Sequence, residues 1–392
     1  MIIPFPKMHY FDTIIEHYGW QGTALAASIM ILFFVQLYYH IVLYGRIVRF
    51  RNSRRKKILE AEPAVSIIVP LFSEDYDYLD ERLPALFAQE YSAPFEVVVV
   101  YVGADGDFYE ELTRQRLNYP NLTVTKIEYN PRFPISVKMA INVGIKSASY
   151  NHLLLTTASA TPASTQWLAM MGKAFMRGQI VIGYTAIEPA KGLGNYLMRL
   201  SRLQMSVYWL TQAVSRNTYR GIRHNIGFTK ELYFANKGFT HLNMNIGEDD
   251  LFIQKVARRN NVSVVLIAKG STIEHPWGGL RWWFGRLRYY GSAYEFYPRR
   301  VRTAIEWDLG SQTLFLLAAL AAIIFMPVEF KAAAALLVLL RYAAALYRIR
   351  SIAKRVGEQG VALRFFIFDL FNPLMMMALR LSLVRKVPGV WR

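Results

Sequence analysis

Apolar residues lie in long uninterrupted runs near both ends of the chain and in short runs between them. The first long run, residues 22–45, contains no Asp, Glu, Lys or Arg. A helix needs about 20 such residues to cross the hydrocarbon core of a membrane. The run is too long for the core of a signal peptide, and no small-residue cleavage site follows it. We therefore predict a retained transmembrane helix over residues 22–45.

The middle of the chain alternates between short apolar runs and segments with helical spacing. Residues 65–69 and 96–100 are rich in β-branched side chains, which is typical of strands buried on both faces of a parallel sheet. Between them, residues 78–89 carry apolar side chains at helical spacing. The alternation continues with a strand at 122–127, a helix at 137–147 and strands at 152–156 and 179–184. The pattern predicts an α/β domain with a Rossmann-like, mainly parallel sheet, whose ligands bind at the carboxyl ends of the strands.

The last hundred residues contain further apolar runs. Residues 309–328 and 332–346, separated by a turn at 329–331, predict a second and a third membrane span. Arg341 lies inside the third span, which is costly unless its side chain faces other helices. Residues 361–384 predict an interfacial or re-entrant amphipathic helix, because polar residues and a proline interrupt them. The interrupting residues are Arg364, Asp369, Pro373 and Arg380.

Composition and charge limit the kinds of metal site and binding partner that we expect for the chain. Among its 392 residues there is no cysteine, so a disulfide framework and a thiolate metal site are excluded. The net charge of +18 comes from clustered basic residues, most clearly within 46–57 and 348–355. Beside apolar spans, such clusters favour contact with anionic membrane lipids. No nucleic-acid-binding motif is present, so nucleic acid is not an expected partner.

The basic residues also predict an orientation. The positive-inside rule places the α/β domain in the cytoplasm and the amino terminus outside, as a multi-pass protein of the inner (cytoplasmic) membrane. Six segments result: an extracytoplasmic segment (1–21), a transmembrane helix (22–45), a basic juxtamembrane segment (46–62), the α/β domain (63–305), two transmembrane helices (306–350) and a basic, amphipathic carboxyl-terminal segment (351–392). The α/β domain is therefore where we look for chemistry.

An acidic tetrad, Gly247-Glu248-Asp249-Asp250, lies downstream of the predicted strands. Two other segments accompany it: Pro-Leu-Phe-Ser-Glu at 70–74 and Ala-Ile-Asn-Val-Gly at 140–144. Together these motifs resemble those of the inverting family 2 glycosyltransferases, closest to the membrane-anchored bacterial members. The resemblance spans residues 65–290 and implies the GT-A fold, the nucleotide-diphospho-sugar transferase type of α/β domain.

The resemblance also implies roles for individual residues. Asp249 becomes the base that activates the acceptor hydroxyl, with Glu248 and Asp250 orienting the acceptor and the helix end. Acidic residues before an apolar run are also ordinary first-turn residues that favour the helix dipole, so the tetrad alone leaves both interpretations open. Lys138 lies one place out of register with a lysine of the family. The residues implied to bind the nucleotide-sugar are Pro70, Glu74, Lys138, Asn142, Thr157, Ser159, Arg223, Arg281 and Arg288.

The chain departs from the family where the family carries an Asp-x-Asp metal clamp. The corresponding residues are Thr157 and Ser159, whose neutral hydroxyl groups are poor ligands for a hard divalent cation. Mg²⁺ and Mn²⁺ are therefore disfavoured, and we assign no metal ligand and no cofactor. Val102 also stands where the family has an acid that contacts the base. Asp105 or Asp107 substitutes for this acid if the register of the loop shifts, although aspartate is also an ordinary turn former.

Basic and aromatic residues near the end of the domain resemble a weakened form of the motif that covers the diphosphate. Gly278 precedes Arg281-Trp282-Trp283 where processive members carry Gln, so polymer synthesis is disfavoured. Side-chain cations are the alternative to a metal, because guanidinium groups hold phosphate oxygens through paired hydrogen bonds. Beside a membrane, arginines also contact lipid phosphates. The rings of Trp277, Trp282, Trp283, Tyr289 and Tyr290 either stack on sugar rings or form an aromatic belt at the bilayer surface, and the amphipathic, basic stretch that follows favours the belt. The candidate cations are Arg220, Arg223, His224, Arg281, Arg286 and Arg288.

Two functions remain from the sequence. The first is an inverting glycosyltransferase that transfers a sugar from a nucleotide-sugar to a lipid-linked or envelope glycan acceptor at the cytoplasmic membrane face, without a metal. Its expected partners are the donor, the acceptor, membrane lipids and proteins of envelope biosynthesis. The second is a catalytically inactive, glycosyltransferase-like pseudoenzyme that acts as a membrane scaffold or regulator.

Overall fold

The computed structural model describes residues 9–51, 56–128, 135–239, 248–362 and 364–384, with side chains from residue 19 onward except those of residues 248 and 384. Three residues of the sequence motifs, Arg54, Arg55 and Gly247, lie outside these ranges, as does the side chain of Glu248. The described chain consists of an α/β domain between apolar helices from the two ends of the sequence.

The α/β domain is built on two β-sheets. Its described strands are β1 (Val65–Leu71), β2 (Phe95–Val102), β3 (Leu122–Ile127), β4 (His152–Leu155), β5 (Ala160–Pro162), β6 (Ile180–Ile182), β7 (Thr185–Ile187), β8 (Ile226–Thr229), β9 (Val262–Val264) and β10 (Thr272–Glu274). The larger sheet has the order β3-β2-β1-β4-β8-β6-β9. Its neighbouring strands are parallel except where β8 pairs with β4 and β6. The smaller sheet has the order β5-β10-β7.

Helices cover both faces of the larger sheet. They are α3 (Leu83–Phe87), α4 (Gly106–Arg114), α5 (Val137–Ser147), α6 (Trp167–Phe175), α7 (Leu193–Val214), α8 (Lys230–Ala235), α9 (Glu248–Val256) and α10 (Leu280–Gly291). Successive residues of a strand point to opposite faces. Ile68 of β1 therefore packs in one apolar cluster with Ile141 of α5, whereas Ile67 packs in a second cluster with Leu83 of α3 and Phe108 of α4. The mainly parallel α/β fold predicted from the sequence is confirmed.

Most predicted elements of this domain are confirmed. The strand expected at 122–127 and the helix expected at 137–147 begin and end at the predicted residues. The antiparallel strand β8 was not predicted, because Ile-Gly-Phe-Thr is short and contains a glycine, a residue that usually weakens strands. The helix expected at 78–89 is divided into a π-helical turn, Tyr78–Arg82, and α3. Pro84 stands at the start of α3, where a missing N–H is tolerated.

Gly144 allows α5 to approach the sheet closely. A Cβ atom at this position would lie 2.6 Å from Cγ2 of Ile68 and 3.1 Å from Cγ2 of Val100. We expect Gly144→Ala to lower the free energy of unfolding by about 1–3 kcal/mol, because both neighbours belong to a packed core. Chemical unfolding of the purified protein in detergent measures the change. Gly285→Ala, in α10 with open space around its Cβ, is the matched control and should not be destabilised. Equal stability of the two variants would contradict this account of α5.

Four helices of the described chain are long and apolar enough to cross a membrane, and they suggest membrane association. The first lies within α1 (His9–Leu37), which kinks at Gly19, and continues through a π-helical turn (Tyr38–Leu43) into α2 (Gly45–Arg49). The others are α11 (Arg299–Phe325), α12 (Val328–Val356) and α13 (Phe365–Val384). The interfacial placement of α13 and the cytoplasmic orientation of the domain stay predictions.

The turn between α11 and α12 is earlier than the sequence predicted. It lies at Met326 and Pro327 rather than at residues 329–331. Proline cannot continue the preceding helix, because it lacks an N–H group, but it is tolerated where the next helix begins. Pro327 therefore determines where the turn lies, and the charged residues Glu329 and Lys331 are accommodated in the first turn of α12.

Arg341 is fully buried inside the helical bundle, where it faces other helices as expected. Its Nη1 atom pairs with a carboxylate oxygen of Asp369 on α13, and its Nε atom donates a hydrogen bond of 3.1 Å to Gln36 Oε1 on α1. Gln36 Nε2 in turn donates to Ser311 Oγ on α11 at 2.8 Å. These contacts connect all four apolar helices, and they offset the cost of a charge inside an apolar bundle.

Candidate functional site

The carboxyl ends of β1, β2 and β4 meet the beginning of β8 at one edge of the larger sheet. Leu155, the last residue of β4, is paired with Ile226, the first residue of the antiparallel β8. The segment after β4 and the short helix before β8 (Arg223–Asn225) are therefore neighbours. Thr156 Oγ1 donates a hydrogen bond of 3.3 Å to the main-chain oxygen of His224 across this boundary. In open parallel sheets, such an edge is where ligands bind.

Thr157 and Ser159 form the turn at this edge. Their hydroxyl oxygens lie 3.2 Å apart and share a hydrogen bond. The N–H of His275 donates to the main-chain oxygen of Ser159 at 2.8 Å, so the turn is attached to the end of β10. The sequence-predicted pair is thus held together at the carboxyl edge, by main-chain and hydroxyl contacts.

The donor set around this turn does not fit a divalent metal ion. The nearest imidazole, His275, lies between Glu188 Oε2 and Thr161 Oγ1, each 3.0 Å from a ring nitrogen. Mg²⁺ and Mn²⁺ prefer carboxylate oxygens, whereas Thr157 and Ser159 offer neutral hydroxyls. Among the residues that the structure describes, no group of three His, Cys, Asp or Glu side chains has the spacing of a metal site.

Asp249 lies at the same edge, in the first turn of α9. Its Oδ2 atom accepts a hydrogen bond of 3.1 Å from the N–H of Arg223, and its Oδ1 atom lies 3.6 Å from Nη1 of the same residue. Oδ1 accepts no hydrogen bond from the described residues. Asp249 is therefore next to the turn that contains Thr157, because Arg223 and His224 are adjacent in the chain.

Asp250, the next residue, has a different environment. Its carboxylate is buried, 3.2 Å from Nε of Arg220, and it accepts a hydrogen bond from the hydroxyl of Tyr297. Burial raises the pKa of Asp250 to about 6, and the charge of Asp249 adds to the rise, while Arg220 opposes it. At pH 7 the group is therefore mostly ionised and paired with Arg220. The structure places Asp250 inside the protein, where it fixes the start of α9.

The residues predicted on the nucleotide side are divided between surface and core. Glu74 is exposed after β1, and its Oε1 atom accepts a hydrogen bond of 2.7 Å from the hydroxyl of Tyr101 on β2. Lys138 occupies the first turn of α5, on the same edge. Pro70 is buried within β1, and Asn142 Oδ1 accepts a hydrogen bond of 3.3 Å from Tyr233 of α8. Glu74 is thus exposed at the edge and Lys138 is half-buried there, whereas Pro70 and Asn142 are part of the packing.

Asp105, considered above as a substitute for the missing nucleoside acid, has a structural partner. It precedes α4, and its Oδ1 atom accepts a hydrogen bond of 3.0 Å from the N–H of Phe108. This is an N-cap, which satisfies one of the unpaired N–H groups at the start of the helix. Asp107 is exposed in the first turn of the same helix.

The candidate arginines do not converge on one point. Arg281 is exposed in the first turn of α10 and forms no hydrogen bond or ion pair with the described residues. Arg288, in the last turn, donates to the main-chain oxygen of Ser382 on α13 at 3.5 Å. Arg223 donates to the hydroxyl of Tyr289 at 2.7 Å in addition to its contacts with Asp249. The structure brings Arg223 to the site, leaves Arg281 in solvent and directs Arg288 toward α13.

Glu274 is the centre of a charge cluster that the sequence did not reveal. Its carboxylate is fully buried at the end of β10, where it pairs with Arg202 of α7, with Arg286 at 2.7 Å and with His224 Nε2 at 3.1 Å. Burial alone would raise the pKa of this carboxyl, yet His224 and the two guanidinium groups outweigh burial and hold the pKa well below its usual range. Burial lowers the pKa of His224, so a neutral ring that donates from Nε2 fits the cluster.

The aromatic residues near this cluster lie inside the protein rather than in a belt at its surface. Trp283 and Tyr290 are buried, and the guanidinium carbon of Arg202 lies 5.0 Å and 5.7 Å from their ring centres. The belt interpretation is therefore wrong for these two residues. Trp277, in contrast, is exposed, as one expects of a ring that stacks on a sugar or meets a membrane.

Comparison with known proteins supports the fold and leaves the family open. No protein-family model matches the chain, and no curated protein matches it by sequence. A mannosyltransferase from Pyrobaculum calidifontis in complex with GDP-Man and Mn²⁺ has a similar structure: the TM-score is 0.55 at 18% identity, over 89% of this chain and 99% of that chain. Residues 1–349 of TarS from S. aureus in complex with UDP-GlcNAc match at a TM-score of 0.40 and 17% identity, over 81% of this chain and 92% of that chain. The chain has the fold of glycosyltransferase structures.

Proposed function

We propose that the protein is a membrane-associated glycosyltransferase that transfers one sugar, with inversion, from a nucleotide-sugar to a lipid-linked or envelope glycan acceptor at the cytoplasmic membrane face. The observation that carries the proposal is the position of Asp249. Its carboxylate lies beside the turn of Thr157 at the carboxyl edge of a sheet of the glycosyltransferase type. The apolar helices and basic clusters favour an acceptor at the membrane.

Asp249 supplies the base in this mechanism. An acceptor hydroxyl donates its proton to the carboxylate of Asp249, while the acceptor oxygen attacks the anomeric carbon of the donor. The bond from that carbon to the diphosphate breaks, and the nucleoside diphosphate leaves with the bonding electrons. The N–H of Arg223 holds Oδ2 in place, and the guanidinium of the same residue lies 3.6 Å from Oδ1.

Side-chain cations stabilise the departing diphosphate in this proposal. Arg281 is exposed and has no polar partner among the described residues, so its guanidinium is available to phosphate oxygens. Lys138, in the first turn of α5, is a second candidate cation. The hydroxyls of Thr157 and Ser159 then act as hydrogen-bond donors to the donor substrate rather than as metal ligands.

We expect glycosyl transfer to proceed fully in excess EDTA, because the turn at Thr157 and Ser159 offers no carboxylate to a divalent cation. The measurement is the release of nucleoside diphosphate from a panel of UDP- and GDP-sugars by the purified full-length protein, with membrane extract as acceptor, before and after EDTA treatment. Loss of activity in EDTA, restored by Mn²⁺ or Mg²⁺, would contradict metal-independent transfer.

A second function, a pseudoenzyme that acts as a membrane scaffold or regulator, is favoured by one observation. Arg220, Arg223 and Arg286 are already paired with carboxylates of the protein itself, which reduces the positive charge available to a diphosphate. This alternative expects no binding heat when UDP, GDP or their sugars are titrated into the protein, with or without Mn²⁺. Binding at micromolar concentration would count against the pseudoenzyme and in favour of the transferase.

A further inference from the structure

A basic groove opens where the α/β domain meets the ends of two apolar helices, and none of its described lining residues belongs to the site of Asp249. It has a volume of about 730 Å³ and lies between the end of α2, α6, the segment after β9 and the last turns of α12. Four cations line it: Lys173 and Arg177 of α6, and Lys354 and Arg355 of α12. No Asp or Glu lies among its lining residues in the described chain.

Arg355 is fixed in the groove by main-chain oxygens alone. Its Nη1 atom donates to the oxygen of Val48 at 2.6 Å and its Nε atom to the oxygen of Leu266 at 2.9 Å, while Nη2 donates to the oxygen of Phe50. Carbonyl groups satisfy hydrogen-bonding atoms but leave the positive charge without a counter-charge. The guanidinium therefore stabilises three chain segments and contributes a net charge to the groove.

The other cations add to this charge. Lys354 is exposed and forms no ion pair with the described residues. Arg177 donates from Nη1 to the main-chain oxygen of Lys173 at 3.0 Å, and its Nε atom is buried without a hydrogen-bond partner in the described chain. Lys173 has one acidic neighbour outside the groove, Glu62 at 3.7 Å. The groove is thus strongly positive, and an anion would supply the counter-charge that the protein lacks.

The remaining lining is apolar apart from Ser351, and part of it lies at the ends of candidate membrane spans. Val48 lies in the last turn of the first apolar helix and Phe50 follows that helix, while Ile267, which is 45% exposed, also lines the groove. Lys354 and Arg355 belong to the last turn of α12, another candidate span. A free phosphate ion needs neither apolar walls nor this position. A phospholipid needs both, because its phosphate lies at the level where apolar helices leave the membrane.

We propose that this groove binds the headgroup of an anionic phospholipid, with the phosphate against Lys173, Lys354 and Arg355 and the glycerol region against Phe50 and Ile267. The bound lipid joins the α/β domain to the helical bundle and sets the height of the domain above the bilayer. This inference is independent of whether the site at Asp249 catalyses sugar transfer.

Binding of short-chain phosphatidylglycerol to the full-length protein in detergent, measured by native mass spectrometry, tests the proposal. Lys173→Glu combined with Lys354→Glu should weaken this binding about 10-fold or more, since each basic residue near a lipid phosphate contributes several-fold. Lys146→Glu combined with Lys191→Glu makes the same charge change at two exposed lysines outside the groove and should leave binding unchanged. Equal loss in the two double variants would overturn the proposal.

Two further binding measurements identify the ligand. Phosphatidylcholine of the same chain length should bind much more weakly, and equal binding would show that apolar contact alone is responsible and would overturn the proposal. Inorganic phosphate should not compete with phosphatidylglycerol at millimolar concentration. Efficient competition would identify the occupant as a free phosphate and would also overturn it. Lys173→Gln combined with Lys354→Gln, which is less disruptive to folding, should show a smaller loss in the same direction.

Discussion

Replacing Asp249 with asparagine should lower the rate of sugar transfer by about 10²–10⁴-fold, the usual contribution of a positioned general base. Asparagine has nearly the same shape, and its side-chain oxygen can still accept the hydrogen bond from the N–H of Arg223. It cannot take the proton of the acceptor hydroxyl at pH 7. Because the donor contacts are elsewhere at the edge, near Glu74, Lys138 and Thr157, the affinity for nucleotide-sugar should change little.

The measurement compares initial rates of nucleoside diphosphate release by wild type and variant, together with the dissociation constant of the donor from calorimetry. Asp80→Asn makes the same chemical change at an exposed aspartate on the helical turn before α3 and should retain the wild-type rate. If Asp249→Asn and wild type release nucleoside diphosphate equally fast, Asp249 is not the base and the transferase proposal fails. A fall in the rate with unchanged donor affinity separates a chemical role from a binding role.

The parallel core was predictable because its signals are local. The strand at 122–127 and the helix at 137–147 are determined by runs of side chains that are consecutive in the chain, and the structure reproduces their bounds. The strand β8 was not predicted, because its pairing with β4 and β6 depends on residues more than forty positions away. The register of Phe228 with Ile180 and Leu153 shows this separation. Short strands that contain glycine carry too little local preference to be found without their partners.

The position of the candidate site in the chain could be predicted from the sequence, but the burial and the ion pairs of its side chains could not. Asp249 and Asp250 are adjacent and chemically identical in the sequence, yet one is at the edge beside Arg223 and the other is buried against Arg220 and Tyr297. Successive helical residues point about 100° apart, so a shift of one position changes the environment completely. Motif matching does not record this difference, because it depends on which face of α9 the core covers.

Glu274 was missed for a related reason. Its partners are at positions 202, 224 and 286, which no local pattern connects. The nearest sequence signal was the position of Arg199 and Arg202, the only charged residues of α7, which indicates a buried ion pair or an interface. Arg199 does pair with a second buried acid, Glu358, at 2.6 Å. Charged residues within apolar helices are therefore the sign by which such clusters are found.

Replacing Glu274 with alanine should lower the free energy of unfolding by about 3–5 kcal/mol, the largest stability effect expected for a single substitution in this chain. Glu274 and its partner Arg202 are both completely buried. Without the carboxylate, the guanidinium of Arg202 is an uncompensated charge in the core, and two of its nitrogen atoms already lack hydrogen-bond partners in the described chain. Arg286 is partly exposed and can move toward solvent, so most of the loss comes from Arg202.

Chemical unfolding of the purified protein in detergent measures this loss. Glu188→Ala is the matched control, because Glu188 pairs with His275 at 3.0 Å but is half exposed, and ion pairs at the surface contribute about 1 kcal/mol or less. A second test removes both charges: Arg202→Met combined with Glu274→Gln should be more stable than Glu274→Ala alone, since no buried charge is left unpaired. If Glu274→Ala is as stable as Glu188→Ala, the buried cluster does not hold α7, β10 and α10 together. The position of α10, and with it Arg281, would then depend on the apolar contacts of residues such as Trp283 and Leu287.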